Sequence, residues 1–387
     1  MKLHRFGRLS VVALAGSLAL AACGSDDNSD ETTGSDAPAA SAGSSTAPDA
    51  GSGGIACPAG GGTLNGAGSS AQQNAVSEWT KAFQEACPDV TINYNASGSG
   101  AGRQAFIDKQ VAWAGSDSSI KEEEKTQADA NCTGGQAINL PMVVGPIAVA
   151  YNIEGVDELN LSAKTIAGIF TGQITKWNAA EITAENPDAD LPDADIVAVH
   201  RSDESGTTQN FARYLDATAK DIWTYGTEQQ WPAAIKGGQG ANKSAGVADA
   251  VSRTAGAIGY VEYSFVEDAG LSAAKVSNDG QSFVELTPEN AAAAVADAEV
   301  SGTAPDLALS LNYATTAANA YPIVLVTYEI ACSAGQPAAD ANLVKSFLTY
   351  TSSTEGQALL TDNGYAPLPE EVRTQVAETV AAITPGA

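Results

Sequence analysis

The sequence predicts an α/β protein with mostly parallel sheets, and three observations lead there. Short strand-like segments alternate with segments of helical period along the chain. Several of the strand-like segments are continuous apolar runs, as expected of strands buried on both faces. Four strand ends run into clusters of glycine and hydroxyl residues, the form taken where an α/β sheet holds a ligand. All three are read from the 387-residue chain.

In chain order, "GGTLNGAG" (61–68) reads as a strand. "SSAQQNAVSEWTKAFQEAC" (69–87) reads as an amphipathic helix with Val76, Trp79, Phe83 and Ala86 on one stripe. "VTINYNASG" (90–98) and "VAWAGSD" (111–117) read as strands, and "SSIKEEEKTQADA" (118–130) as a helix that Asp117 could cap. The apolar runs "INLPMVVGPIAVAYN" (138–152), "DIVAVH" (195–200), "AGAIGYVEYSFV" (255–266) and "YPIVLVTYEIA" (321–331) follow. "TPENAAAAVADAEV" (287–300) reads as a solvated helix with a buried stripe, and "NLVKSFLTYTSSTEGQALLTDN" (342–363) as a closing helix. The five tryptophans suit a core or a cleft wall. No repeat of fixed period is visible.

The first residues carry Lys2, Arg5 and Arg8 and then an apolar stretch to Ala22, too short for a membrane span and flanked like a secretory signal. It ends Leu20-Ala21-Ala22-Cys23, which resembles a bacterial lipobox with Cys23 as the lipidated residue. The expected organisation is therefore a signal peptide at 1–22 and a lipid-anchored, extracytoplasmic protein. Residues 24–56 contain no aromatic residue, Lys or Arg, so 23–56 reads as the anchor and a disordered tether spanning about 30 Å. The rest suits two domains, and the pattern fits equally two lobes, 57–145 with 319–387 and 146–318, joined by two crossings, or two domains in series.

The net charge of −27 disfavours nucleic acid and anionic lipid as partners. Cys57, Cys87, Cys132 and Cys332 remain after Cys23, an even number that suggests two disulfides with three possible pairings. Cys57 precedes the first strand and Cys87 the second. Parallel pairing of those strands would favour Cys57 with Cys87, leaving Cys132 with Cys332. The spacings match no zinc pattern.

The four junctions are "GAGSS" (66–70), "SGSGAG" (97–102), "GSDSS" (115–119) and "RSDESGTT" (201–208). Helix N-termini offer unpaired N–H groups and positive partial charge, so such junctions suit an anion. Arg201 can grip an oxyanion bidentately, and Asp203 can orient it. Asp117 is the odd member, because a carboxylate repels an anion unless the anion brings a hydrogen to donate. Phosphate near neutral pH has that hydrogen and sulfate lacks it. A site built for a hydrogen can reject the analogue without it by ~10⁴–10⁵-fold. A sulfate or molybdate receptor is thus separated by Asp117.

Two other readings compete. "GGQGANKS" (237–244) falls one residue short of a nucleotide-binding P-loop, with Asn242 in place of the second glycine, and reads better as a glycine-rich loop. An exported serine hydrolase or phosphatase could use Ser205. The G-x-S-x-G elbow is absent, and His200, the one histidine beyond the leader, lies on the same strand end as Arg201. One histidine also disfavours a multi-ligand metal centre.

With "IFTGQITKWN" (169–178) and "GAIGYVEYSF" (256–265) added in order, these motifs resemble the phosphate-binding lipoproteins of high-affinity ABC phosphate importers, over nearly all of 60–375. The resemblance implies a type II periplasmic-binding-protein fold with two lobes and a two-segment hinge. It implies a monomer that binds inorganic phosphate, uses no cofactor or metal, performs no catalysis and works with a membrane permease and its ATPase. Carried over motif by motif, it implies phosphate contacts from Ser70, Ala71, Ser99, Asp117, Arg201, Ser205, Gly206 and Thr207. The chain departs from the family pattern at Ser70-Ala71, where Thr and a large apolar residue are common. It departs again at Glu204, where glycine is common, which sets a charge near the anion.

Overall fold

The computed structural model describes residues 54–296 and 298–386. The signal peptide, Cys23 and nearly all of the tether expected at 23–56 lie outside the described residues.

The chain opens with β1 (Gly62–Gly68), α1 (Gln73–Ala86), β2 (Val90–Asn95), α2 (Ser99–Ile107), β3 (Trp113–Ser116) and α3 (Glu122–Asp129). The long β4 (Ala137–Asn152) leads into β5 (Asn160–Ser162), α4 (Ala163–Phe170), α5 (Ala180–Glu185), β6 (Val197–Arg201) and α6 (Gly206–Thr218). After β7 (Gln239–Ala241), α7 (Lys243–Arg253), β8 (Ala257–Glu262) and α8 (Ser264–Ala269) come short strands β9 (Ser272–Ala273) and β10 (Lys275–Ser277). Then follow α9 (Pro288–Val295), β11 (Glu299–Val300), β12 (Leu309–Ser310), β13 (Val324–Cys332) and β14 (Ala334–Gln336). The chain closes with α10 (Ala338–Thr351), α11 (Thr354–Thr361), α12 (Glu370–Ala381) and β15 (Thr384–Pro385).

The main sheet has strand order β2-β1-β3-β13-β4-β8-β6-β7, with β9 also on β4. Its two ends are parallel: β1 with β2 and β3, and β6 with β7 and β8. Its middle is antiparallel, because β13 runs against both β3 and β4, and β4 runs against β8. The apolar runs of β4 and β13 were expected to be parallel strands. They are indeed buried on both faces, but burial on both faces carries no information about direction. Ala137–Pro146 of β4 pairs with β13 and Ile147–Asn152 pairs with β8, so one strand serves both halves of the sheet.

Each half has its own apolar core. One gathers Trp79, Phe83, Trp113 and Phe347 beneath α1, α10 and α12. The other gathers Phe170, Trp177, Phe211, Trp223 and Tyr260. Four of the five tryptophans are fully buried, and Trp231 packs against the second core from its edge. Ala291 and Val295 of α9, together with Leu307, join the first core. The buried stripe expected on α1 is present at Val76, Trp79 and Phe83.

Three segments differ in detail from their reading. "AGAIGYVEYSFV" is a strand only to Glu262, where the glutamate accepts from the Ser264 N–H and the chain turns into α8. The closing helix breaks at Ser352, and the Ser353 hydroxyl caps α11 by accepting from the Gly356 N–H. Asp117 caps nothing: α3 begins at Glu122, and Asp117 turns back into the interior. Both disulfides form as the expected pairing has it, Cys57–Cys87 and Cys132–Cys332. The Gly62–Val90 register brings the first pair together, and the Cys332–Ala137 register brings the second.

Glu262 is fully buried where β4 passes from β13 to β8. Burial pushes its pKa up to about 8, against the lowering pull of its Ser264 hydrogen bonds. In the unfolded chain a glutamate titrates near 4.3, at about that value. Between the two pKa values the folded protein holds a proton that the unfolded chain has released. The contribution of Glu262 is therefore fully present below about pH 4.3 and is lost as pH rises toward 8, by about 1.4 kcal/mol per unit. Glu262→Gln keeps the acceptor for Ser264 and removes the titration. Denaturant unfolding across pH 4.5–8 is expected to show the variant gaining stability over the parent as pH rises.

Candidate oxyanion site

The four junctions converge. Ser69 and Ser70 follow β1, Ser99 opens α2 and Asp117 follows β3; Arg201 ends β6, and Ser205, Gly206 and Thr207 open α6. Contacts across the two halves tie them together. Thr207 Oγ1 donates to Asp117 Oδ2 at 3.3 Å, and Asn210 Nδ2 donates to the Asp117 carbonyl at 2.8 Å. The Gly100 N–H donates to the Glu204 carbonyl at 3.4 Å. A Cβ on Gly206 would lie 2.6 Å from the Asp117 Cβ, so this close approach needs glycine. Gly68, with φ 146°, likewise leaves no room, since a Cβ would meet the Gly115 carbonyl oxygen at 1.9 Å.

Asp117 is 3% exposed and surrounded by hydroxyls. Its Oδ1 accepts from Ser69 Oγ in a short hydrogen bond and from Thr327 Oγ1 at 2.9 Å. Its Oδ2 accepts from Ser99 Oγ and Thr207 Oγ1, both at 3.3 Å. Burial raises its pKa; the Ser69, Thr327 and Thr207 hydroxyls and the Arg201 charge pull it back without cancelling the rise.

Arg201 is 2% exposed. Its Nε and Nη2 are held bidentately by Asp203, and Nη1 reaches Thr207 Oγ1 at 3.4 Å. Burial alone would raise the Asp203 pKa, but the Arg201 hydrogen bonds and charge outweigh it and hold the carboxyl below its ordinary value. Asp203 thus orients Arg201 and balances its charge, taking one N–H of Nε and one of Nη2 and leaving the end-on fork of Nη1 and Nη2 for other partners. The Tyr260 hydroxyl accepts from the Arg201 N–H at 3.1 Å and lies 2.8 Å from Thr208 Oγ1, which locks β6 to the first turn of α6.

The remaining expected residues have defined places. Ser205 Oγ caps α6 by accepting from the Thr208 N–H at 3.2 Å. The N–H groups of Gly206 and Thr207 are the leading donors of that helix. Ser99 Oγ also accepts from the Asp117 N–H. Ser70 is turned toward α7: its Oγ accepts from the Ser244 N–H and lies 3.0 Å from Ser244 Oγ. The Ala71 N–H donates to Ser69 Oγ at 3.1 Å.

Several site residues were not foreseen. Ser69 was passed over for its neighbour, and Thr327 lies 210 positions from the carboxylate it serves. Ser244 belongs to the glycine-rich "GGQGANKS" stretch, whose real use is to bring the start of α7 against Ser70. Arg103 is the largest omission. It is 1% exposed and its guanidinium donates to Glu124, Ser116, Gln229 and Glu204. A cationic residue on the short helix after "SGSGAG" was the available signal.

Glu204, expected to disturb an anion, is neutralised instead. Its Oε1 is 2.6 Å from Lys121 Nζ and 3.2 Å from Arg103 Nη2. Burial pushes its pKa up, and those two cations outweigh that and lower it. The departure from glycine thus adds an ion-pair bridge between the two halves.

The geometry opposes a hydrolase at Ser205. His200 Nδ1 lies against the Arg201 carbonyl, and its ring stacks on Trp231 at 4.7 Å. The Ser205 hydroxyl serves as a helix cap rather than as the partner of a base. Among the described residues no cluster of His, Cys, Asp and Glu could hold a metal ion.

Residues 40–355 match the model of a family described as the PBP superfamily domain. The chain is 41% identical to the phosphate-binding protein PstS 3 of Mycobacterium tuberculosis (strain ATCC 25618 / H37Rv) over 386 residues, 99% of this chain and 100% of the relative. It is 32% identical to the phosphate-binding protein PstS of Xylella fastidiosa (strain 9a5c) over 319 residues, 81% of this chain and 83% of the relative. Among solved structures, a high-affinity periplasmic phosphate-binding protein (PfluDING) bound with phosphate superposes with a TM-score of 0.64 at 23% identity. That match covers 82% of this chain and 93% of the other, and shows a shared fold. The chain belongs to the PBP superfamily and, within it, to the family of phosphate-binding PstS proteins.

Proposed function

We propose that this chain captures inorganic phosphate between two lobes on the outer side of the cell membrane and delivers it to an ABC permease. One observation carries the reading: a buried carboxylate, a buried guanidinium and helix N-termini from both halves of the sheet meet at one place. The donors suit the oxygens of a tetrahedral anion. The Asp117 carboxylate suits the hydrogen that phosphate carries and sulfate does not. The proposed contacts are Ser70, Ala71, Ser99, Asp117, Arg201, Ser205, Gly206 and Thr207, with Asp203 behind Arg201.

The proposed lobes are 57–145 with 319–387, and 146–318, with residues around α9 packed on the first. The two crossings lie side by side, which supports a hinge there: the Ile147 N–H donates to the Ile323 carbonyl at 2.8 Å, and the Tyr321 hydroxyl donates to the Ile147 carbonyl at 2.9 Å. The function needs no bond cleavage, and the capping role of Ser205 favours binding over hydrolysis. Lipidation at Cys23 and the tether would hold the body clear of the membrane. No helix among the described residues is long and apolar enough to cross a membrane itself.

Calorimetric titration of the ligand-stripped protein is expected to show phosphate bound far more tightly than sulfate. In Asp117→Asn that preference should shrink by about 100-fold or more, the sense expected when a hydrogen-accepting group is replaced. Unchanged discrimination would remove the carboxylate from the site. Gly206→Ala should weaken phosphate binding by at least about tenfold, since its methyl group cannot coexist with Asp117; titration and thermal melting together separate lost binding from lost folding. In cells fed labelled palmitate, the parent chain should take up label in the membrane fraction. Cys23→Ala should be unlabelled and released.

A further inference from the structure

Three adjacent strands meet around Asp117. It follows β3, and the sheet places β1 on one side of β3 and β13 on the other. Each flanking strand sends one hydroxyl to the same carboxylate oxygen: Ser69, just past β1, and Thr327, within β13, both donate to Oδ1. The other oxygen, Oδ2, has only the two 3.3 Å contacts from Ser99 and Thr207. Those hydroxyls belong to residues proposed to hold the anion, and each also accepts a hydrogen bond, Ser99 from the Asp117 N–H and Thr207 from Arg201 Nη1.

Both Oδ1 donors are fixed from behind. Ser69 is fully buried, its N–H donates to the Gly115 carbonyl at 2.8 Å, and its Oγ accepts from the Ala71 N–H. Its carbonyl accepts from the Tyr94 hydroxyl at 2.8 Å, which in turn accepts from Gln72 Nε2 at 3.0 Å. The Ser69 hydroxyl donates its hydrogen to Asp117. Thr327 is also fully buried and lies where the register of β13 against β4 shifts. Such irregularities re-aim a side chain at a site.

We propose that Ser69 and Thr327 are positioning residues that pin Oδ1 of Asp117, so that Oδ2 alone meets the ligand and reads whether it carries a hydrogen. The inference rests on the phosphate-binding reading of the site. It deepens that reading by naming what opposes the rise that burial imposes on the carboxylate's pKa and what holds it turned toward the ligand. Other charged or titratable groups facing Asp117 are Arg201 from β6, Glu329 two residues beyond Thr327 on β13, Glu262 from β8 and Tyr94 from β2. Arg201 favours the ionised carboxylate. The two glutamates would oppose it once ionised, and burial raises the pKa of both.

The test is titration of the ligand-stripped full-length mature protein with inorganic phosphate and with sulfate from pH 5 to 8.5. The parent, Ser69→Ala, Thr327→Val and Asp117→Asn are compared. Losing one donor makes the carboxylate easier to protonate. The first two variants should therefore lose about tenfold or more of the phosphate-over-sulfate preference, and the pH below which preference collapses should move upward. A merely structural role would weaken both anions alike with an unshifted pH profile, and that result overturns the proposal. If Asp117→Asn loses discrimination while Ser69→Ala and Thr327→Val keep it with the parent's profile, the positioning role is wrong and the phosphate reading stands. If Asp117→Asn itself keeps discrimination, the reading on which the proposal rests has failed. Thr327→Val, nearly equal in shape, guards against misfolding, and melting curves check it.

Discussion

The proposed site is built around one buried carboxylate, that of Asp117. Isolated, a buried charge of this kind is far too unfavourable to persist ionised. Asp117 is sustained by hydroxyls from four different segments and by the nearby guanidinium of Arg201. Ser69, Ser99 and Thr327 come from the half that carries Asp117, and Thr207 and Arg201 from the other, so the network is completed only where the two halves meet. Glycine at 68 and 206 permits the close backbone approaches that this meeting requires.

The charge arrangement also explains how an acidic protein can receive an anion. Arg201 does not offer all five of its donors to a ligand, because Asp203 already takes one on Nε and one on Nη2. The pair is close to neutral, and Asp117 adds a negative charge. In the proposed site, attraction for an oxyanion would therefore come largely from oriented dipoles, the N–H groups at the starts of α2 and α6 and the serine and threonine hydroxyls. Such contacts act over hydrogen-bond distance, while the distant surface charge is screened over about 8–10 Å. The net charge of −27 consequently says little about the site.

The ion-pair bridge at Glu204 adds a second closing element. Arg103 stands in α2 and contacts both Gln229 and Glu204 from the other half, while Lys121 reaches the same carboxylate. Because Arg103 is buried and Glu204 only partly so, the bridge straddles the boundary between dry interior and solvent. Its partners are satisfied within the protein, so the glutamate leaves the interior facing the hydroxyls rather than a bare charge.

Local chemistry was readable from the linear sequence. Alternating periods pointed to the α/β class, the glycine and hydroxyl clusters marked the strand ends, and Arg201 stood out as a grip for an oxyanion and Asp117 as a carboxylate among anion-binding donors. The favoured disulfide pairing rested on an assumed parallel pairing of the first two strands, which β1 and β2 have. Tertiary structure alone decided whatever depends on which segments become neighbours. It turned β4 and β13 antiparallel, since burial on both faces constrains side chains and not direction. It brought Thr327 to Asp117, Arg103 to Glu204 and Ser244 to Ser70 across separations of 210, 101 and 174 positions. Periodicity reports the environment of a residue within its own helix or strand. A hydrogen bond between distant segments leaves no such periodic trace, because one threonine or arginine looks the same in sequence whether it meets solvent or a buried carboxylate.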